Sequence, residues 1–403
     1  MPAPEASDPW RRIIDFGLTD EDIGPRQLAA PMLLADVGLP FPASLKPQPQ
    51  PLVIEPVPSD DLPQADVLVV TWTVAEVEAL ADVLTPGNNR NNWYRYAKKF
   101  QDYLPEIRQS APARKALRLG SYFPTRIGNT DVLCVKSELH LNQDGIKTGD
   151  GKATLPVKRF FRQMIDEVKP SLVITVGTAG ATFPPDRTVD VGGMQCPPHE
   201  LGDVMITRGA KFRLSQEFRN EPFAHMSFRC ETFQLPIGRL NAAKDLLAVH
   251  ADKLTEPNFG PPHKKFQMPQ LVQGFKNKPD FKIDGRDFPA FHPILTTDFF
   301  EFGTSSNGLE QEGCGVEMGD AVLGMVVDEM KQQGVANVPN WLVIRNASDP
   351  QINGDLPDRD NMAVPQEMRR ALNMQAHWAV WYYEAYGYWT SVNSAIAVWA
   401  MLN

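Results

Sequence analysis

Short apolar runs alternate with amphipathic stretches along most of this chain. Runs rich in β-branched residues predict buried strands at residues 66–71, 131–136, 171–176, 202–207 and 342–346. Segments with helical periodicity, bounded by capping and breaking residues, predict helices at residues 75–84, 155–168 and 320–333. Because strands and helices alternate, we expect an α/β fold: a three-layer single domain whose central mixed, mainly parallel sheet is flanked by helices.

Two regions depart from this alternation. Residues 1–62 are rich in proline and predict an N-terminal extension, with short helices near residues 9–16 and 26–37. Residues 63–403 form the predicted α/β domain, interrupted at about residues 251–293 by a polar insertion. The lysines of this insertion favour a solvated face over a lid that closes on a ligand.

The last segment, residues 378–403, combines many aromatic side chains with one charged residue, Glu384. Its tyrosine, serine and asparagine side chains are costly in hydrocarbon, so we expect a packed closing helix instead of a membrane span. The first residues lack a basic region followed by an apolar stretch, which argues against a secretory signal. A cytoplasmic protein without a membrane partner is therefore expected.

Charge and cysteine usage argue against several classes of function. The net charge of −9 argues against a nucleic-acid-binding protein, because neutralising phosphates needs clustered lysine and arginine. The four cysteines are far apart and favour reduced thiols over a disulfide framework or a zinc knuckle. The seven histidines lack HxxxH and HExxH spacing, and no Walker, GxGxxG or GxSxG motif occurs. We expect neither a metal nor an organic cofactor.

Asp349 is the most informative single residue, since it follows a predicted buried strand. A carboxyl group at the carboxyl end of such a strand lies where open α/β sheets bind ligands. An apolar wall there would raise its pKa and keep it protonated near neutrality, so that it could protonate a leaving group. The alternative is that Asp349 caps a following helix.

Five motifs follow one another in an order that is typical of one enzyme family. They are a Glu-bearing turn at Glu76 after the first strand, Gly177-Thr178-Ala179-Gly180 after a later strand, a Thr-Thr-Asp-Phe-Phe segment ending at Phe300, a Val-Glu-Met segment ending at Met318, and Ser348-Asp349. Together they resemble the nucleoside phosphorylase and nucleosidase superfamily, particularly its methylthioadenosine/S-adenosylhomocysteine nucleosidase branch. The resemblance implies the phosphorylase/nucleosidase-like fold and cleavage of an N-glycosidic bond.

The resemblance implies catalytic roles for three residues. Asp349, beside Ser348, would donate a proton to the purine at N7, because a purine anion is a poor leaving group. Glu76 would activate water on the opposite face of the sugar, as in inverting glycosidases. Arg345 would lie near the nucleophile. The alternatives are that Glu76 is an ordinary first-turn helix carboxylate and that Arg345 forms a buried ion pair.

Substrate contacts are implied in the same way. Thr178 and Gly180 belong to a glycine-rich turn whose backbone N–H groups would hold an anion or a water. Phe300 would stack on the purine, and the backbone of Glu301 would read the edge of the base. The alternatives are a plain tight turn, and a core position for at least one of the phenylalanines at 299, 300 and 302.

One position departs from the family pattern. The family has Val-Glu-Met-Glu, whose second glutamate holds the ribose hydroxyls, and Gly319 stands at that position. Glu317 and Met318 are kept, while Asp320 is displaced by one residue, about 100° around a helix. The departure implies a modified sugar, a substitute carboxylate at Asp320 or Glu317, or a loss of catalysis.

These patterns predict a hydrolase that cleaves the N-glycosidic bond of a purine nucleoside or nucleotide derivative. By resemblance, a homodimer or larger homo-oligomer is expected. Phosphorylases of the family tend to carry a phosphate-binding arginine in the turn after the first predicted strand, and no arginine occurs between residues 71 and 81. The resemblance therefore favours water over phosphate as the nucleophile. One alternative is a phosphate-dependent nucleoside phosphorylase with its phosphate site at Arg208, Lys211 and Arg213. The other is a non-catalytic nucleoside-binding protein, which the glycine at position 319 favours.

Overall fold

The structure of the 403-residue chain is a computed structural model. It describes residues 37–109, 111–141, 145–146, 150–231, 237–254, 278–284, 292–354 and 374–402. The short helix predicted at residues 9–16, most of the one at 26–37 and most of the insertion at 251–293 lie outside the described residues. Within the insertion, the structure describes a 3₁₀ helix at Ala251–Leu254 and a two-residue strand.

Each strand and helix predicted from the apolar pattern is confirmed, with bounds that differ by a few residues. The described strands are β1 (Gln48–Pro49), β2 (Val67–Thr71), β3 (Tyr94–Tyr96), β4 (Gly120–Ile127), β5 (Thr130–Ser137), β6 (Leu172–Ala181), β7 (Val189–Val191), β8 (Met194–Cys196), β9 (Val204–Thr207), β10 (Gly209–Phe212), β11 (Ser227–Arg229), β12 (Phe281–Lys282), β13 (Ile294–Thr296), β14 (Gly315–Glu317) and β15 (Asn340–Asp349). The described α-helices are α1 (Val74–Leu84), α2 (Phe100–Tyr103), α3 (Pro112–Ala116), α4 (Pro156–Val168), α5 (Ile237–Leu247), α6 (Asp320–Gln332) and α7 (Met374–Met401).

The long strand β6 is the centre of the main sheet. It pairs in parallel with β2 and with β15, and in antiparallel with β14. The strand order is β1-β4-β5-β2-β6-β14-β13-β10-β11, with β3 on β4, β15 on β6 and β9, and β12 on β9. This arrangement of parallel and antiparallel pairs confirms the predicted mixed sheet.

The central strands are buried because helices cover the sheet. All five residues of β2 are buried, as their continuous apolar sequence requires. Helix α7 packs against α1, β6 and β15, and α4 packs against α6. The predicted α/β architecture with flanking helices is therefore confirmed.

The segment of residues 177–180 is part of a strand, so the predicted turn there is wrong. Strand β6 runs on to Ala181, because its backbone continues to pair with β15 and then with β14. The register of β15 on β6 shifts between Ala347 and Asp349. Such a bulge re-aims the side chains beside it, and here it lies at the end of the strand that carries Asp349.

The closing segment forms α7, which confirms the predicted packed helix. Its side chains of Trp378, Tyr382, Tyr386 and Trp399 are buried. Among the described residues, no helix combines the length and the apolar character that crossing a membrane requires.

Candidate active site

A cavity opens at the carboxyl ends of β2, β6 and β15. Of the site residues predicted from the sequence, all except Asp320 line it, namely Glu76, Thr178, Gly180, Phe300, Glu301, Glu317, Met318, Arg345, Ser348 and Asp349. The fold thus brings together side chains from segments that are far apart in the chain.

Asp349 is buried at the end of β15. Its Oδ1 accepts a hydrogen bond from the Ser348 hydroxyl at 2.9 Å, and its Oδ2 has no hydrogen-bond partner among the described residues. Burial raises the pKa of Asp349 to about 7, although the hydrogen bond from Ser348 acts in the opposite direction. The described residues that follow, 350–354, form no helix for this carboxyl group to cap.

Two glycines of β6 allow charged groups to lie directly against the strand. A Cβ at Gly180 would be 3.0 Å from Asp349 Oδ2, and a Cβ at Gly177 would collide with Glu76 Oε1 and Arg345 Nη1. Glycine is needed at these two positions because the absence of a Cβ lets the charged groups approach the backbone closely, and not because the chain turns there. Glu76 therefore lies beside Gly177, and Asp349 lies beside Gly180, three residues further along β6.

Glu76 lies in the first turn of α1 and forms a capping box with Thr73. Its carboxylate accepts five hydrogen bonds, from the backbone N–H of Trp72, Thr73 and Thr178 and from the hydroxyls of Thr71 and Thr178. Burial alone would raise the pKa of Glu76, but the nearby charge of Arg345 and these hydrogen bonds lower it below 4.5. Glu76 is therefore both a helix-capping carboxylate and an ionised group at the cavity wall.

Arg345 is buried among carboxylates. It donates to Asp320 from Nη2 at 2.6 Å and from Nε at 2.8 Å, and its Nη2 lies 3.3 Å from Glu317 Oε2. Glu76 Oε1 lies 3.8 Å from Nη1. Burial lowers the pKa of the guanidinium, but the charges of Asp320 and Glu317 raise it overall. Arg345 therefore both forms a buried ion pair and lines the cavity.

Glu317 precedes α6 and satisfies the first N–H groups of that helix. It accepts hydrogen bonds from the backbone N–H of Gly319 and Asp320 and from the Thr296 hydroxyl. Burial and the charge of Asp320 raise the pKa of Glu317 above 4.5, while Arg345 acts in the opposite direction. Asp320 faces Arg345 instead of the cavity, and both of its carboxyl oxygens accept from that guanidinium.

The space beside Gly319 is filled by an indole ring. A Cβ on Gly319 would lie 3.1 Å from Cζ2 of Trp72. The indole N–H of Trp72 donates to the Leu139 carbonyl at 3.1 Å, and the Arg345 guanidinium stacks over the ring at 5.0 Å from its centroid. A larger residue at position 319 would therefore have to displace a ring that is held at both ends.

The aromatic wall contains Phe300, which is half-buried and lies 5.8 Å from the ring of Phe302. The phenylalanines at 299, 300 and 302 are all partly buried, and those at 300 and 302 pack against buried side chains of α7, so they lie at the edge of the core. The carboxylate of Glu301 accepts two hydrogen bonds from Arg213. Burial raises the pKa of Glu301, although Arg213 lowers it.

Sequence reasoning missed several residues of the wall, among them Trp72, Thr73, His140 and Tyr383. Tyr383 comes from α7 and donates a hydrogen bond to Thr73 Oγ1 at 2.9 Å. Trp72 and Thr73 directly follow β2, and this position at the carboxyl end of a buried strand was a signal for a contact with the site. The sequence carries no comparable signal for Tyr383, because its helix is rich in aromatic residues throughout.

The basic side chains considered for a phosphate site lie elsewhere. Arg213 pairs with Glu301 and Glu312, Lys211 pairs with Glu312, and neither lines the cavity; nor does Arg208. Among the described residues, no group of three or more histidine, cysteine, aspartate and glutamate side chains is arranged to hold a metal ion.

No protein-family model matches the chain, and no curated protein sequence matches it. Solved structures with a similar fold include a 5′-methylthioadenosine/S-adenosylhomocysteine nucleosidase from Helicobacter pylori, at 10% identity and a TM-score of 0.40, covering 84% of this chain and 97% of that one. The futalosine hydrolase of Helicobacter pylori is similar at 11% identity and a TM-score of 0.40, with 83% and 96% covered.

A third similar structure is the 5′-methylthioadenosine/S-adenosylhomocysteine nucleosidase from Neisseria meningitidis, at 14% identity and a TM-score of 0.37, covering 83% of this chain and 97% of that one. Two of these three enzymes are of the kind that the sequence motifs resemble. At such identities and TM-scores, the similarity carries no argument about the chemistry of this chain, which depends on the geometry of its own cavity.

Proposed function

We propose that this cavity hydrolyses the N-glycosidic bond of a purine nucleoside or nucleotide derivative. The observation that carries the proposal is Asp349 Oδ2, a buried carboxyl oxygen without a hydrogen-bond partner among the described residues. The pKa of this carboxyl group is raised to about 7, so that it holds a proton near neutrality. A purine ring nitrogen is an acceptor that becomes more basic as the glycosidic bond breaks, and it is the natural recipient of that proton.

In the proposed reaction, Asp349 gives its proton to the purine as the bond from the base to the anomeric carbon breaks. The bonding electrons leave with the base, which departs as a neutral molecule, and the sugar becomes oxocarbenium-like. Phe300 offers a ring face to the base. The Ser348 hydroxyl stabilises the resulting carboxylate through the hydrogen bond that it already donates.

Water attacks from the end of the cavity that Glu76 and Thr178 occupy. Since Glu76 already accepts five hydrogen bonds, the route to it runs through the Thr178 hydroxyl, which donates to Glu76 Oε1 at 2.9 Å. The hydroxyl takes a proton from the attacking water as it passes its own proton to Glu76. A weak base suffices, because water bound to an oxocarbenium carbon is strongly acidic.

Phosphorolysis has less support, because Arg345 is held by Asp320 and Glu317 and the other basic candidates lie outside the cavity.

To test the proposal, the protein is incubated with each of a panel of purine nucleosides, with and without phosphate, and the free base that is released is measured by chromatography. The panel contains methylthioadenosine, S-adenosylhomocysteine, adenosine, inosine, AMP and deoxy analogues. Base release without phosphate is expected, and Asp349→Asn is expected to reduce it by a factor of roughly 10² to 10⁴. Asp82→Asn is the matched control, since burial also raises the pKa of Asp82, to about 6, but this residue lies outside the cavity.

Two outcomes would contradict the proposal. Base release that depends on phosphate would make the protein a phosphorylase. Binding of nucleosides without release of base from any of them would make it a binding protein, with the saturated hydrogen bonding of Glu76 as the physical reason.

A further inference from the structure

The carboxylates at the cavity leave little capacity to bind sugar hydroxyls. Each carboxyl oxygen of Glu76 and of Glu317 already accepts two or three hydrogen bonds from the protein. The carboxylate of Glu301 is paired with Arg213 through both of its oxygens. Asp349 has an oxygen without a hydrogen-bond partner among the described residues, and the proposed reaction assigns that oxygen to the base. A vicinal diol therefore meets no unpaired carboxylate at this wall.

The ring of Trp72 fills the part of the cavity wall in which such a carboxylate would have to lie. Its ring lies 3.1 Å from the position of a Cβ on Gly319, and the side chain is buried. Four contacts fix the ring: the indole N–H bond to the Leu139 carbonyl, the stacking of Arg345, and edge contacts with His140 and Phe161, each at 6.1 Å between centroids. Moving the ring would break these contacts, so we expect this wall to stay apolar when a ligand binds.

A buried hydroxyl that finds no partner costs its lost hydration, whereas a hydrogen atom in its place costs nothing of the kind. We propose that the cavity selects purine nucleosides whose sugar lacks a free 2′,3′-diol, and that Trp72 is the residue that sets this preference. The inference rests on the proposed nucleoside hydrolysis and adds the class of sugar to it.

The test measures binding without turnover. The Asp349→Asn protein is titrated by calorimetry with adenosine, 2′-deoxyadenosine and 3′-deoxyadenosine. Each deoxynucleoside is expected to bind about tenfold more tightly than adenosine, because one unpaired hydroxyl has been removed. Ratios of Kd within one protein cancel any effect of the Asp349 substitution on the base. Because binding is measured instead of turnover, the faster uncatalysed cleavage of deoxynucleosides does not influence the comparison.

Variants of the wall connect the preference to Trp72. In the same background, Trp72→Phe keeps an aromatic ring beside Gly319 and is expected to keep the preference for deoxynucleosides. The double variant Trp72→Ala with Gly319→Glu removes the indole ring and places a carboxylate in the space that it leaves. Adenosine is then expected to bind more tightly than either deoxynucleoside. Circular dichroism checks that each variant is folded.

The outcomes separate this inference from the proposed function. Adenosine that binds as tightly as the deoxynucleosides, or more tightly, would overturn the sugar preference and leave nucleoside hydrolysis standing. Failure of every nucleoside to bind would overturn both. If the double variant does not fold, the ratio in the Asp349→Asn protein and its persistence in Trp72→Phe still decide the question.

Discussion

The hydroxyl of Tyr383 donates a hydrogen bond to Thr73 Oγ1 at 2.9 Å and thereby joins α7 to the N-terminus of α1. Both side chains line the cavity. Tyr383→Phe removes this bond and is expected to lower the free energy of unfolding by about 1 kcal/mol.

Tyr388 on the same helix provides the comparison. Its hydroxyl donates to Asp82 at 2.6 Å, and bonds to carboxylates are stronger than bonds between neutral groups. Tyr388→Phe is therefore expected to cost more stability than Tyr383→Phe. Chemical denaturation of both variants measures the difference, and the reverse order would contradict this account of the two bonds.

The proton on Asp349 predicts a pH profile for base release. Because its pKa is raised to about 7, the group is protonated below that pH and ionised above it. The rate is expected to fall about tenfold per pH unit above 7, since only the protonated carboxyl group can act as the acid. A profile that stays flat from pH 6 to pH 9 would show that Asp349 is not the acid.

The same raised pKa predicts an effect on stability. Between the ordinary value of 3.8 and about 7, the folded state keeps the proton of Asp349 that the unfolded state has released. The contribution of Asp349 to the free energy of unfolding is therefore fully present below pH 3.8. It decreases as the pH rises to about 7, by about 1.4 kcal/mol per pH unit.

Asp349→Asn removes this penalty and is expected to be more stable than the parent protein at pH 8. Thermal unfolding of both proteins from pH 4 to pH 8 measures the change. The two stability curves should diverge as the pH rises, and curves that stay parallel would contradict the raised pKa.

The Thr178 hydroxyl is expected to matter for turnover more than for folding. Thr178→Val keeps the shape of the side chain but removes the donor to Glu76, so kcat should fall by roughly 10². Thr178→Ser keeps the hydroxyl and should retain most of the rate. Steady-state kinetics of the pair tests the proton route, and equal rates in the two variants would exclude it.

Arg345 is expected to be essential for stability. Replacing it by methionine leaves Asp320, Glu317 and Glu76 buried without their common partner, which should cost about 3–5 kcal/mol of unfolding free energy. Arg126→Met is the control, because the pair of Arg126 with Asp131 is exposed and its loss should leave the Tm nearly unchanged. Equal effects would show that the buried network does not stabilise the fold.

The core of the fold could be predicted from the sequence. Strands such as β2 are buried on both faces, so their apolar runs are continuous, and α4 and α6 carry clear helical periodicity. The cavity residues near strand ends were also within reach, since Asp349, Glu76 and Thr178 each follow or end an apolar run. The path of residues 177–180 was not, because whether glycines form a turn or a strand depends on partners elsewhere in the chain.

The apolar pattern of the chain specifies which segments are strands and helices, and the order of its residues puts an aspartate, a capping glutamate and an arginine at the ends of the central strands. How these groups affect one another depends on the packing of the whole fold. Burial of Asp349 sets its pKa, Glu76 is satisfied by five donors, and Trp72 fills the space beside Gly319. Burial, distance and competition for hydrogen bonds are properties of neighbours in space, and a local pattern of residues does not contain them.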